Sequence, residues 1–347
     1  DGESGRAGGD KLPAPAWAAV LGSWGTGSWL LALWACGCLL ACSKGPLDSR
    51  PPSKAGALPT VAAGDRPDVL MLVSPGLDRS GWNDPLVLAP GTQVAAWMAQ
   101  GVACESAYVR FVDPERNQAD LGGLGYLGNN SEWARQWRQG GYRYQEGSAL
   151  EREAFFAADA NAPGVFVEQL TDSGWAALEA ELQALAQAPQ PKRPRIRALT
   201  AWIGDASQPE LCEARLQVPL LFVLPDGLGA GETRPQVVAL PDVGATLLDL
   251  CGLWPEGTQE DPLGAASFAR ILLQEPLAWR GYVLAKGTTG GGWIRSARWR
   301  LLRTQNGSDL LSLVAEDPNN TRDDSGSPAA AAQMRGMGER LDAWMRR

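Results

Sequence analysis

Pro67-Asp-Val-Leu-Met-Leu-Val-Ser-Pro-Gly-Leu77 is the stretch on which the reading of the fold turns. Its centre, Asp68 to Ser74, is a short apolar run without polar alternation, bounded by Pro67 and by Pro75-Gly76. A half-exposed strand alternates with a period of two, so an unbroken run of this kind describes a strand covered on both faces, as in a parallel sheet.

Working outward, Thr92 to Gln100 has helical spacing and stops at Gly101, and Ala103 to Val109 is the next strand candidate. Asn130-Ser131 can cap a helix that runs to Gln139 before Gly140-Gly141. Tyr142 to Gln145 reads as a short strand. Ser173 to Gln187 is a strong helix, with Trp175, Leu178, Leu182 and Leu185 on one face. Ile196 to Ile203 and Val218 to Leu224 are strand-like, and helices are expected over Asp242 to Leu250 and Ala265 to Leu273. This alternation of strands and helices indicates an α/β sheet with helices on both sides. After Glu275 the pattern changes. Tyr282 to Ala285, Trp293 to Arg303 and Leu310 to Val314 read as antiparallel strands, and Ala329 to Arg346 as a closing helix.

The front of the chain is different in kind. From Leu12 to Ser43 no residue is charged, Arg6 and Lys11 precede it, and Trp29 to Cys42 is densely apolar. That is the form of an export signal. Leu39-Leu40-Ala41-Cys42 resembles the bacterial lipoprotein cleavage box, which would make Cys42 the lipidated residue. An uncleaved membrane anchor and an ordinary cleaved signal are the other readings. The chain opens at Asp1, and its true start is expected upstream. Residues 1–43 are thus read as signal or anchor, 44–66 as a flexible tether rich in Pro, Ala, Gly and Ser, 67–275 as the α/β domain and 276–347 as a C-terminal subdomain.

Composition removes some functions. The 347 residues include no histidine, so proton transfer would fall to Asp, Glu, Lys, Tyr or Cys. With 31 Lys and Arg against 39 Asp and Glu, the net charge of −8 argues against a nucleic-acid partner. Beyond the export segment, Cys104, Cys212 and Cys251 give neither a disulfide framework nor a metal spacing. The 15 tryptophans are read first as core packing, and second as a platform for aryl or sugar ligands. Gly123-Leu-Gly-Tyr-Leu-Gly128 fits a nucleotide-binding pattern but follows no strand, so it reads as a turn. Asn129, Asn306 and Asn319, each in an Asn-x-Ser/Thr pattern, read as turn and cap residues.

Five stretches, in order, resemble the sulfatase family of the alkaline-phosphatase superfamily. They are Pro67 to Leu77, Ala99 to Val109, Val218 to Pro225 with Asp242 to Leu253, Arg295-Ser-Ala-Arg-Trp-Arg-Leu-Leu-Arg303, and Asp309 to Asn320. The resemblance implies an alkaline-phosphatase-like three-layer α/β sandwich with a small antiparallel α+β subdomain at the C-terminus. It also implies calcium held by carboxylates, two of them adjacent just after the first strand, and a Cys or Ser nucleophile in the pattern Cys-x-Pro-x-Arg.

Carried over position by position, that chemistry fails. Pro75 and Gly76 stand where the paired carboxylates belong. Val112-Asp-Pro-Glu-Arg116 matches the nucleophile motif, but valine has no group to convert to formylglycine and none to attack with. Arg116 matches the arginine that steadies nucleophile and sulfate, and Asp205, in Gly204-Asp-Ala206, matches one metal ligand. Both are candidate remnants. Asn161 to Gly164 is expected to be a remnant of a sulfate-binding element, with Gly164 in place of histidine. The stretch from Ala149 to Trp175 is expected to be where active-site loops are missing.

The expected function is therefore a sulfatase-like protein of the cell envelope without catalysis, in a binding or scaffold role, tethered to the membrane through its N-terminus and with no cofactor. A sulfated, aryl or glycan ligand is the expected partner. The alternative is a divergent sulfuric or phosphoric ester hydrolase, in which Asp78, Asp84, Asp113 and Glu115 join Asp205 in a shifted carboxylate cluster around calcium, with Asp113 or Ser106 attacking.

Overall fold

A computed structural model describes residues 66–121, 131–159, 161–207, 209–254, 264–274, 279–317, 322–326 and 328–346. Cys42 and the export segment, most of the tether, Gly123 to Gly128, Asn129 and Asn319 lie outside them.

The strands are β1 (Asp68–Ser74), β2 (Val102–Tyr108), β3 (Arg143–Gly147), β4 (Gly164–Gln169), β5 (Arg195–Ala201), β6 (Leu221–Val223), β7 (Glu232–Ala239), β8 (Tyr282–Lys286), β9 (Gly292–Ser296), β10 (Trp299–Arg303) and β11 (Asp309–Leu313). Seven form one sheet in the order β3-β4-β1-β5-β6-β2-β7. All its neighbouring pairs are parallel except those of β6, which runs antiparallel to β5 and β2. All seven residues of β1 are buried, so both faces of this interior strand are covered, as its unbroken apolar run requires. Helices Gln93–Gln100 and Trp175–Gln187 pack together, as do Pro114–Leu121 and Leu240–Leu250. The α/β sandwich expected from the sequence is the one observed.

Three elements depart from expectation. Only Leu221–Val223 of the 218–224 run is regular strand, because Pro219 has no N–H to give between the bonds from Val218 N to Ala107 O (3.0 Å) and from Cys104 N to Leu220 O (2.9 Å). The helix expected from Ala265 shrinks to Ala269–Leu272. Asp242 accepts from Ala266 N and Thr246 from Phe268 N, which fixes the preceding chain in a non-helical path. The run 293–303 breaks into two strands where Ser296 Oγ accepts from Trp299 N (3.0 Å). The stretch from Ala149 to Trp175, where active-site loops were expected to be missing, holds a helix, Ala149–Ala158, and β4. The helix opens on Ser148, whose backbone N–H donates to Glu151 (2.9 Å), a Ser-x-x-Glu start signal.

The second sheet has the order β11-β10-β9-β8 and is antiparallel throughout. Its two faces serve different cores. Leu284, Ile294, Leu301 and Leu311 pack with Ala330, Met337 and Leu341 of the helix Pro328–Met345. Val283, Ala285 and Trp293, on alternate positions, join the main core. No tryptophan among the described residues is exposed, and Trp133, Trp137 and Trp293 are fully enclosed.

Candidate functional site

The C-terminal ends of β1 and β5 are laced together by backbone. Trp202 N donates to Ser74 O (3.0 Å), Leu77 N to Ile203 O (3.3 Å) and Gly174 N to Gly76 O (3.1 Å). Gly204 follows where no side chain fits: a Cβ there would collide with the carbonyls of Ala214, Arg215 and Gln217. Its N–H and that of Asp205 donate to Arg215 O and Ala214 O, both at 2.9 Å. So Gly76 and the Asp205 turn share one rim of the sheet.

The third segment is brought there by a residue the sequence reading missed. Asn117, fully buried in the helix Pro114–Leu121, accepts from Phe111 N (3.0 Å) and donates to Phe111 O (2.6 Å) and Trp202 O (2.7 Å). One amide thus ties the segment carrying Val112 to the end of β5. Val112 itself, which the resemblance matches to the nucleophile, is 2% exposed, a core residue. The Arg116 side chain is 63% exposed. It lies over the Phe111 ring (5.7 Å) and 3.8 Å from Asp113.

The carboxylates near this rim are engaged locally. Asp205 Oδ1 accepts from Ser207 N (2.9 Å) and Ser207 Oγ (2.6 Å). Asp78 accepts from Gly81 N, Asp84 from Leu86 N and Asp113 from Glu115 N, each closing its own turn. A calcium ion takes about six to eight oxygen ligands, several of them carboxylate. Here Pro75 and Gly76 offer no side-chain oxygen, and the Gly76 carbonyl is occupied by Gly174 N and Ser74 Oγ. Among the described residues no three His, Cys, Asp or Glu side chains come together as a metal site. The residues present do not fit the ion.

Behind the Asp205 turn sits a second polar centre that sequence gave no sign of. Glu213, opening the short helix Glu213–Leu216, accepts from the hydroxyl of Tyr108 and from Arg295 Nε (3.1 Å) and Arg300 Nη1 (3.3 Å). Burial, with the Glu213 carboxylate beside it, holds the Tyr108 phenol well above its ordinary pKa, so it serves as a donor. The Glu213 partners and the Trp202 partner of Asn117 are far away in sequence, and no local spacing marks either residue. Gly164 requires a correction. It starts β4 and donates its N–H to Asp68 (2.9 Å), at the opposite rim of the sheet. The segment that reaches the candidate site is the one after β4, where Gly174 meets Gly76.

No protein-family model and no curated protein matches the sequence. Solved structures do match the fold. A 2-O GAG sulfatase superposes with a TM-score of 0.65 at 13% identity, over 81% of this chain and 92% of that one. A protein solved with its substrate D-glucosamine-2-N,6-O-disulfate gives 0.67 at 11% identity, over 81% and 98%. The phosphonate monoester hydrolase of Agrobacterium radiobacter gives 0.62 at 13%, over 81% and 95%. With the parallel sheet, the lone antiparallel β6 and the separate C-terminal sheet all in place, the fold of this chain is the sulfatase fold of alkaline-phosphatase type.

Proposed function

We propose that the chain is a cell-envelope protein that keeps the sulfatase fold without its hydrolysis and acts as a binding or scaffold protein, tethered through its N-terminus with Cys42 as the lipidated residue. The observation that carries this reading is Val112, an enclosed hydrocarbon side chain at the position of the attacking group. Hydrolysis of a sulfate ester needs a nucleophile and preorganised charge for the leaving oxygens, which is the larger contribution in most enzymes. Pro75 and Gly76 bring no charge to the rim, and the Asp205 carboxylate is taken up by Ser207. Arg116 and Asp205 are then remnants of the ancestral site. The tether is the segment before residue 44, and among the described residues no helix is long and apolar enough to cross a membrane.

The test is direct. Purified protein is offered aryl sulfate, phosphate and phosphonate esters with and without calcium, and its thermal unfolding is followed as calcium is added. A ligand bound only by the native state raises stability by RT ln(1 + [L]/Kd), so saturating calcium shifts the midpoint if a site exists. The expected result is no turnover and an unchanged midpoint. Calcium-dependent turnover would establish the divergent hydrolase instead.

A further inference from the structure

A large groove lies away from that rim, at the edge of the sheet where the parallel strands begin. Its volume is about 800 Å³. One wall is the stripe Gln93, Trp97 and Gln100 of a single helix, positions three and four apart. The opposite wall is the end of the helix Trp175–Gln187 and the proline-rich strap Ala188–Pro194, and the loop 224–227 closes one side. Lys192, Arg193, Arg195 and Arg197 all line it, against one carboxylate, Asp226.

These cations are not equivalent. Arg195 is occupied, 3.8 Å from Asp68 and stacked on Phe156, and Arg193 donates to the carbonyls of Arg66 and Asn161. Arg197 is different. Its hydrogen bond goes to the neutral Gln100 (3.3 Å), and its face lies over the Trp97 ring (4.9 Å). Among the described residues it has no carboxylate partner. Burial alone acts on the pKa of Arg197 and lowers it. A half-buried guanidinium held in position by a ring and an amide, with its charge unanswered, presents a donor fork to whatever enters the groove. Such a fork matches the paired oxygens of a phosphate or sulfate group.

We propose that this groove binds a small ester carrying several phosphate or sulfate groups, with Arg197 gripping one oxyanion and the exposed Lys192 a second. The basic lining draws the ligand in, and Asp226 sets a local limit on affinity. This holds whether or not the opposite rim is catalytic.

The experiment is calorimetric titration of the full chain with tripolyphosphate and, separately, with sucrose octasulfate, at constant ionic strength in chloride. The expected result is saturable binding of at least one probe, and the tighter of the two names the ester. Arg197→Gln weakens it about tenfold or more, since a charge-assisted bidentate contact is lost. Lys192→Gln weakens it a few-fold. Asp226→Asn tightens it, and asparagine is suited to the left-handed backbone there (φ 59°). Should Arg197→Gln fail to fold, the two exposed positions decide, and unchanged affinity in both overturns the proposal. Binding of neither probe, equal affinity in folded Arg197→Gln, or loss of binding in Arg116→Gln at the other rim also overturns it.

Discussion

Arg152, Glu168 and Glu181 show what a single residue can decide in this molecule. Glu168 points from β4 into the core and is 1% exposed, and the Arg152 guanidinium lies 2.5 Å from both its carboxylate and that of Glu181. Burial outweighs the guanidinium, and the Glu168 carboxyl is pushed up to about 7 from an ordinary 4.5. The sign follows from linkage. A carboxyl that holds its proton more tightly in the folded state stabilises most below the unfolded pKa, and that contribution is lost as pH rises from about 4.5 through 7. The midpoint of unfolding should therefore fall between pH 5 and 7.5 more steeply in the wild type than in Glu168→Gln. Melting curves across that range check it, and parallel profiles would remove Glu168 as the cause. At this scale the sequence was only partly legible. The apolar run of β1 announced itself. Asn117, Glu168 and Glu213 did not, because a buried polar residue is defined by partners supplied from other elements.

Among elements, the helix Leu240–Leu250 does the most to organise its surroundings. Asp242, fully buried in its first turn, accepts from Ala239 N (2.8 Å) and Ala266 N (3.0 Å) and from Arg280 Nη2 (2.6 Å). One carboxylate thus starts a helix, bends the chain at 264–268 and anchors the entry to β8. Removing the cation should cost about 3–5 kcal/mol, the usual penalty for leaving a buried charge alone. Burial already pushes the Asp242 carboxyl up to about 6 despite Arg280, so Arg280→Leu should raise it further. The variant is then expected to be much less stable than wild type at pH 8 and to recover part of the difference at pH 5, where Asp242 protonates. Chemical denaturation at the two pH values measures this, and an equal deficit at both would refute it. Element boundaries were legible where the chain carried its own stop, as at Gly101 and Gly140, and illegible where a distant acceptor set the limit, as at Phe268. β7 escaped notice because Pro235 interrupts it. Its place at the sheet edge is what tolerates a proline.

For the molecule as a whole, the question is whether the C-terminal sheet is an appendage or a structural part of the main domain. Lys286 N donates to Arg110 O (2.8 Å), and the Tyr108 and Trp293 rings lie 5.3 Å apart inside one core. The Glu213 carboxylate joins Tyr108 of the large sheet to Arg295 and Arg300 of the small one. Arg300 is fully buried and keeps Asp317 as its other carboxylate, at 3.4 Å. This latch stands directly behind the Asp205 turn, so the small sheet also sets the shape of the candidate rim. The change in pattern after Glu275 was plain in the sequence, but its consequence was not, since the seam between the sheets is made of residues more than 80 positions apart. Glu213→Gln leaves two buried guanidinium groups facing a neutral amide, and a loss of about 3 kcal/mol or more is expected. Because the apolar seam survives, that loss should lower one transition rather than divide it. Scanning calorimetry decides: the calorimetric and van't Hoff enthalpies should agree in wild type and variant alike. Two resolved transitions in the wild type would mean that the sheets fold separately and that the latch couples nothing.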